Sequence, residues 1–180
     1  MIEIFVRVHY VLVSASRFVF YKLMYRSAFR GPLLGLGPRV SVRLRRGGTL
    51  VFGRVKTRGC GQIFCDGGHV WIGSGVFLNQ GVSINSRSRI SIGADVLMGE
   101  GVKIYDHDHV ISSDFLVDHS QFVERDVEIG QGCWLGSNVV VLKGTQLADR
   151  SIIGSGTTVS VSTREAGVYV PQGGGLRKVR

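Results

Sequence analysis

The feature that most restricts this chain is a set of aliphatic residues locked to an interval of six. Ile129, Leu135, Val141, Leu147, Ile153 and Val159 hold that interval without exception. Upstream, Ile72, Leu78, Ile84 and Ile90 keep it too; after a slip of two residues, Ile92, Met98 and Ile104 resume it. A small residue follows most of the downstream set (Gly130, Gly136, Ala148, Gly154, Ser160). Four places on comes a small or β-branched one: Cys133, Val139, Thr145, Ser151, Thr157. Strands repeat every two residues and helices every 3.6, so neither explains three positions fixed to a period of six.

One short strand per repeat does explain them, with the large aliphatic pointing inward and the small residue beside it at a corner. Three such sides close one coil of a triangular prism, and successive coils stack at the strand spacing of ~4.8 Å. The 26 glycines, about double the usual share of ~7 %, supply the tight corners. Each coil buries its aliphatics only against its neighbours, so several coils and a cap are required. The expectation is a mainly β, single-domain parallel β-helix with an N-terminal helical segment.

Four regions follow. Residues 1–30 read as a basic helical cap, with Phe5, Val8, Leu12, Val19 and Leu23 at helical spacing and Arg7, Arg17, Lys22, Arg26 and Arg30 as the polar side. Residues 31–69 read as degenerate first coils, with strands at 40–44 and 49–52 divided by a turn at Gly47-Gly48. The clear repeat occupies 70–164, broken by a loop at 110–125, and 165–180 form a C-terminal tail.

Charge is local. The net charge is +9, yet residues 1–60 carry twelve Lys/Arg against Glu3 alone, while residues 61–180 carry ten against twelve acids. The basic third therefore attracts anions: lipid headgroups or a phosphate-bearing ligand. No RRM, zinc-finger or helix-turn-helix pattern accompanies it, so nucleic acid is set aside. Cys60, Cys65 and Cys133 have no framework spacing and fit a reducing, cytoplasmic setting. Glu3, Arg7 and Arg17 interrupt the apolar start, which reads as neither signal peptide nor spanning helix. The expected location is cytoplasmic, either soluble or peripheral at the inner face of an anionic membrane through residues 1–60.

From about Val70 onward the chain resembles the hexapeptide-repeat acyltransferases, closest to the galactoside, maltose and xenobiotic acetyltransferase branch. Residues Val127 to Val141 resemble that family's V-x-I-G-x-x-x-W-I-G-x-x-V-x-I, and Ser151-Ile152-Ile153-Gly154-Ser155-Gly156-Thr157 resembles S-V-I-G-A-G-S. The resemblance alone implies a left-handed coil, acetyl-CoA as acyl donor, no metal, and a homotrimer with active sites between adjacent prisms. It implies a catalytic His before an extruded loop; Val102-Lys103-Ile104-Tyr105-Asp106-His107-Asp108-His109 places that role on His109, with His107 as a neighbour toward substrate. It further implies acceptor contacts from Asn79 (in Phe77-Leu78-Asn79) and Trp134, and a pantetheine slot at Ser137 and Ser155. Two departures touch the CoA nucleotide region. The family's C-terminal G-N-P-A-K-V-I-R stands as Gly173 to Arg180 without its Pro, and Val161 replaces the Lys of V-T-K-D. Arg164, Arg177 and Lys178 remain as point charges for phosphates.

The chemistry is coherent. A sugar hydroxyl is a poor nucleophile at neutral pH, and an imidazole with a pKa near ~6.5 can accept its proton as the C–O bond forms. A backbone N–H or the Trp134 N–H would support the developing oxyanion. A carboxylate should orient the imidazole, with Asp106, Asp108 and Glu124 as unranked candidates. The expected activity is O-acetylation of a saccharide hydroxyl in a capsule, O-antigen or related bacterial glycan; N-acetylation of an amino sugar or nucleotide-sugar is the alternative. Two rivals use the same prism. A γ-type carbonic anhydrase would need three His ligands with an H-x₄-H pair, where the repeat region offers His107-x-His109. A non-catalytic scaffold would leave His109, the loop and Trp134 without a common reason.

Overall fold

The computed structural model describes residues 2–180; Met1, the first residue of the expected cap, lies outside them. The strands wind into a parallel β-solenoid of about six turns. The first face stacks Phe29–Arg30, Thr49–Phe52, His69–Ile72, Arg89–Ile92, Val127–Ile129 and Gln146–Leu147. The second stacks Lys56–Thr57, Phe77–Leu78, Leu97–Met98, Trp134–Leu135, Ser151–Ile153 and Gly167–Gln172. The third stacks Val40–Arg45, Gly61–Asp66, Val82–Ser86, Lys103–Tyr105, Val140–Val141 and Thr158–Val159. In each full coil the chain visits first, second and third face in turn.

The period of six becomes three buried columns. Ile72, Ile92, Ile129 and Leu147 line the first face; Leu78, Met98, Leu135 and Ile153 the second; Ile63, Ile84, Ile104, Val141 and Val159 the third. The slip of two residues lies at one corner. From third to first face the chain takes ten positions (Val42 to Phe52), then nine (Ile63 to Ile72), then eight (Ile84 to Ile92). The step from Ile104 to Ile129 holds the inserted loop, and Val141 to Leu147 takes only six. Ile90 and Ile92 are both buried because the longer corner leaves a four-residue strand with two inward positions.

Coil spacing explains the small residue after each aliphatic. A Cβ on Gly99 would lie 2.6 Å from the Ser137 backbone nitrogen, and one on Gly136 2.6 Å from that of Ser155. Two residues on, Gly81, Gly101, Asn138 and Gly156 form a column with left-handed φ of 75°, 68°, 59° and 71°. That turn is open to Gly and tolerable to Asn. The buried hydroxyls of the period-six set bond to main-chain carbonyls: Thr145 to Val159 O at the end of a third-face strand (3.1 Å), Ser151 to Ala148 O (2.8 Å) and Thr157 to Gly154 O (2.6 Å).

At the N-terminal side, α1 (Ile2–Tyr25) forms as expected, with both its apolar ridge and the basic residues Arg7 and Lys22 exposed. The ridge named there, Phe5, Val8, Leu12, Val19 and Leu23, faces solvent. The helix packs instead through Ser14, Phe18, Tyr21 and Tyr25 against Phe29, Leu36 and Val40. By length and composition Glu3–Ala28 also suffices to cross a bilayer, contrary to the view that its charges interrupt it too much. Residues 165–180 are no loose tail: Gly167–Gln172 adds to the second face and Gly175–Lys178 folds back antiparallel.

Candidate active site

The inserted loop leaves the prism at Asp106, directly after the strand Lys103–Tyr105. Asp106 is fully buried and accepts four hydrogen bonds: from Ser86 Oγ (2.6 Å), the Arg87 N–H (2.8 Å), the Ser88 N–H (2.9 Å) and His107 Nδ1 (2.9 Å). Burial alone would raise its pKa, but the bonds from His107, Ser86, Arg87 and Ser88 outweigh that and hold the carboxyl below its ordinary value. An ionised carboxylate only accepts, so His107 carries its proton on Nδ1. The root of the loop is thus tied to a corner of the preceding coil.

The loop itself is a hairpin, His107–Ile111 paired antiparallel with Val117–Glu124. Its register shifts between His109 and Val110, so the return strand bulges at His119 to Gln121. Asp118 caps the bulge by accepting from Ser120 N (2.7 Å), Ser120 Oγ (2.6 Å) and Gln121 N (3.2 Å), and the Ser120 bonds hold its carboxyl low. The bulge brings the Asp118 carbonyl to 3.1 Å from His109 Nδ1. A carbonyl cannot donate, so the neutral imidazole carries its proton on Nδ1 and keeps the Nε2 lone pair. His109 is exposed and packs on Phe122, ring centroids 4.5 Å apart. The Arg87 guanidinium also stacks over Phe122, 3.7 Å from the ring centre, and is itself paired with Asp66 (2.5 Å) and Glu124 (3.1 Å).

None of the three candidate carboxylates makes a hydrogen bond to His109. Asp106 holds His107, Asp108 pairs with Lys143, and Glu124 pairs with Arg87. A main-chain carbonyl does the orienting, because the strand bulge turns it inward. Sequence reasoning missed Asp118, His119, Phe122 and Arg87. His119 stands 5.8 Å from His109, ring to ring. The bulge turns the Asp118 carbonyl toward His109, Phe122 is the cross-strand partner of His109, and Arg87 comes from the corner of the preceding coil; such pairings have no signature in composition or period.

The other candidates occupy the corner between second and third faces and its surroundings. Asn79 opens that corner, its Oδ1 accepting from the Gln80 N–H (2.9 Å). Ser137 and Ser155 continue it one coil apart, Gly156 N donating to Ser137 O (2.8 Å). Just beyond, a groove of about 430 Å³ is bounded by Thr158, Ser160, Pro171 and the Gly173 to Gly175 turn. A corner of glycines and serines leaves backbone groups accessible, which fits an extended, amide-bearing arm such as pantetheine. Arg164 and Arg177 are exposed nearby in sequence, while Lys178 pairs with Glu165 (2.8 Å). Trp134 stands half-exposed on the second face in line with Phe77, Leu97, Ile152 and Val168.

One chain therefore carries two separate groups. His109 and His107 emerge at the third-to-first corner; Asn79, Ser137 and Ser155 line the second-to-third corner, with Trp134 on the second face. Among the described residues no three His, Cys, Asp or Glu gather as a metal site.

A three-faced solenoid of six-residue strand units, interrupted once by a hairpin, is the architecture of hexapeptide-repeat transferases. The family described as "Bacterial transferase hexapeptide (six repeats)" matches residues 126–160. WbbJ of Escherichia coli (strain K12), which bears the provisional name of a lipopolysaccharide biosynthesis O-acetyl transferase, is 32% identical over 132 residues, covering 68% of this chain and 67% of WbbJ. The chain belongs to the hexapeptide-repeat acyltransferase family. It is also 31% identical over 94 residues to a galactoside O-acetyltransferase of Lactococcus lactis subsp. lactis (strain IL1403), covering 52% of this chain and 45% of that protein. The chain thus spans less than half of that relative. A hexapeptide-repeat acetyltransferase of Vibrio cholerae, solved with acetyl-CoA, shares the fold with a TM-score of 0.58 at 22% identity, over 70% of this chain and 69% of that one.

Proposed function

We propose that the protein is a cytoplasmic acetyltransferase that moves an acetyl group from acetyl-CoA to a saccharide hydroxyl of a bacterial surface glycan, such as a capsule or O-antigen unit. One observation carries this reading: a solvent-facing imidazole whose Nδ1 is committed to a carbonyl, on a hairpin that projects from the repeat. His109 Nε2 takes the acceptor's proton as the hydroxyl oxygen attacks the thioester carbonyl; the C–S bond then breaks and the leaving CoA sulfur takes that proton from the imidazolium, base catalysis of this kind typically contributing 10²–10⁴-fold. Acetyl-CoA supplies an activated thioester when bound. Ser137, Ser155 and the backbone of their corner would hold its pantetheine arm, with Arg164 and Arg177 toward the phosphates. Asn79 and Trp134 would position the acceptor, and His107 would lie beside it.

The two groups sit on different edges of one prism, so in this reading they meet only between copies. We place the second-face ladder of Phe77, Leu97, Trp134 and Ile152 against a neighbour in a homotrimer. The exposed hairpin tip, Ile111, Phe115 and Leu116, would reach over that neighbour. Exposed apolar ladders of this kind mark interfaces.

The test is acceptor-dependent thiol release from acetyl-CoA across a panel of sugars and amino sugars, with His109→Ala, Asn79→Ala and a co-refolded mixture of the two. Acceptor-dependent turnover that falls at least about a hundredfold in His109→Ala, and partly returns in the mixture, supports base catalysis at a shared site. Turnover unaffected by His109→Ala rejects it.

A further inference from the structure

We infer that α1 and the cations around the first coil dock the protein on an anionic lipid bilayer, with the helix lying in the interface. This inference stands apart from the acetyl-transfer reading. Residues seven apart lie nearly in line on a helix, so Phe5, Leu12 and Val19, joined by Leu23, form one ridge. Phe5 is 69%, Leu12 63% and Leu23 74% exposed. Ser14 and Tyr21, also seven apart, mark the opposite side and are 3% and 8% exposed. The ridge therefore points away from the prism, and nothing among the described residues covers it.

The helix is attached in a way that suits lying flat rather than crossing. Arg17 donates to Tyr21 Oη (2.6 Å) and to Val40 O (3.2 Å). The Val42 N–H donates to Tyr21 Oη (3.1 Å), and Tyr25 Oη donates to Val42 O (3.4 Å). Toward its start, Tyr10 Oη lies 3.4 Å from Thr57 Oγ1. A spanning helix would forfeit the bonds to Val40, Val42 and Thr57.

Cations surround the same end. Arg26 and Arg30 follow the helix, Arg43 and Arg45 project from the third face, Arg54 lies at the first-to-second corner and Lys56 opens the second-face strand; all six are exposed. Glu3 is the only acid in the first sixty residues. An apolar ridge flanked by cations matches anionic headgroups over acyl chains. A protein partner would need an apolar groove rimmed with acids in register; a bilayer offers both everywhere.

The experiment is co-sedimentation of the full chain with vesicles of phosphatidylcholine alone, and with a third phosphatidylglycerol, at low and high salt. Binding to the anionic vesicles at low salt, at least tenfold above the neutral ones and weakened by salt, is the expected result. Leu12→Asp with Leu23→Asp should lower it at least tenfold while the melting temperature stays unchanged, since both side chains are exposed. Arg43→Glu with Arg45→Glu should lower binding to anionic vesicles only. Three outcomes would overturn the inference. The chain ignores anionic vesicles; it binds both kinds equally whatever the salt, as an inserted span would; or the aspartate pair alters oligomeric mass and leaves vesicle binding intact, which assigns the ridge to a second copy.

Discussion

Phe122 meets both the Arg87 guanidinium, 3.7 Å from its ring centre, and the His109 imidazole, centroid to centroid 4.5 Å. The ring is the wall against which the proposed base rests. Phe122→Ala removes that wall while leaving the Nδ1 tie to Asp118. A slightly misplaced base costs up to about a hundredfold, so kcat should fall ten- to a hundredfold with KM little changed. Steady-state kinetics of the variant check this.

His107 and His109 are separated by the same logic. His107 is tied to a buried carboxylate and packs edge-on against Phe122, whereas His109 faces solvent. His109→Ala should lose about 10²–10⁴ in turnover. His107→Ala should lose much less turnover but melt earlier, because Asp106 is left with one donor fewer. Parallel kinetics and melting curves separate the roles.

Asp106 carries a stability prediction with a defined sign. Its folded pKa is depressed, so it contributes stability fully present above the unfolded value near ~3.9 and lost as pH falls through the folded value. Denaturant midpoints should therefore drop as the pH is lowered below about 4. Asp106→Asn should be destabilised at pH 7 by about 1–3 kcal/mol, since an amide presents only one acceptor to four donors. Its midpoint should also vary less with pH in the acid range than that of the native chain.

The three thiols should differ in reactivity. Cys65 and Cys133 are buried; burial, with Asp106 nearby, pushes the Cys65 thiol up to about 12, and burial raises Cys133 as well. Cys60 is exposed. A colorimetric thiol titration at pH 8 should count one fast group in the native protein and three after denaturation.

Two glycines offer a test of coil stacking. Gly99→Ala sets a Cβ against the backbone of the next coil, while Gly156→Ala meets nothing within 4 Å and suffers only from its φ of 71°. The first should cost about 2 kcal/mol or more, and the second about 1–2 kcal/mol. Equal losses in chemical denaturation would argue against stacking as the reason for the small positions.

The prism was legible because each aliphatic of the repeat reports its own burial. Ile129 to Val159 occupy the three columns in the order their spacing predicts. His109 was located through a family likeness, and the structure shows it exposed on the hairpin. Its partner was not legible. A carbonyl of Asp118 serves where a carboxylate was sought, because a bulge depends on which residues face each other across strands rather than on which are neighbours in sequence. The packing side of the helix was not legible either. An apolar ridge ordinarily seeks the core, yet here Tyr21 and Tyr25 provide the packing and Arg17 the hydrogen bonds.

The corner that runs from third to first face accepts ten, nine, eight and then six positions between columns, and the whole hairpin besides. In the repeat from Ile72 onward the other two corners keep six, because the coils above and below dictate their length. Chain length is thus negotiable at a single edge of the molecule. Insertions or grafted segments placed there can be long and irregular without disturbing one buried aliphatic. An engineer seeking to add a segment to this protein has one edge to extend and two to leave alone.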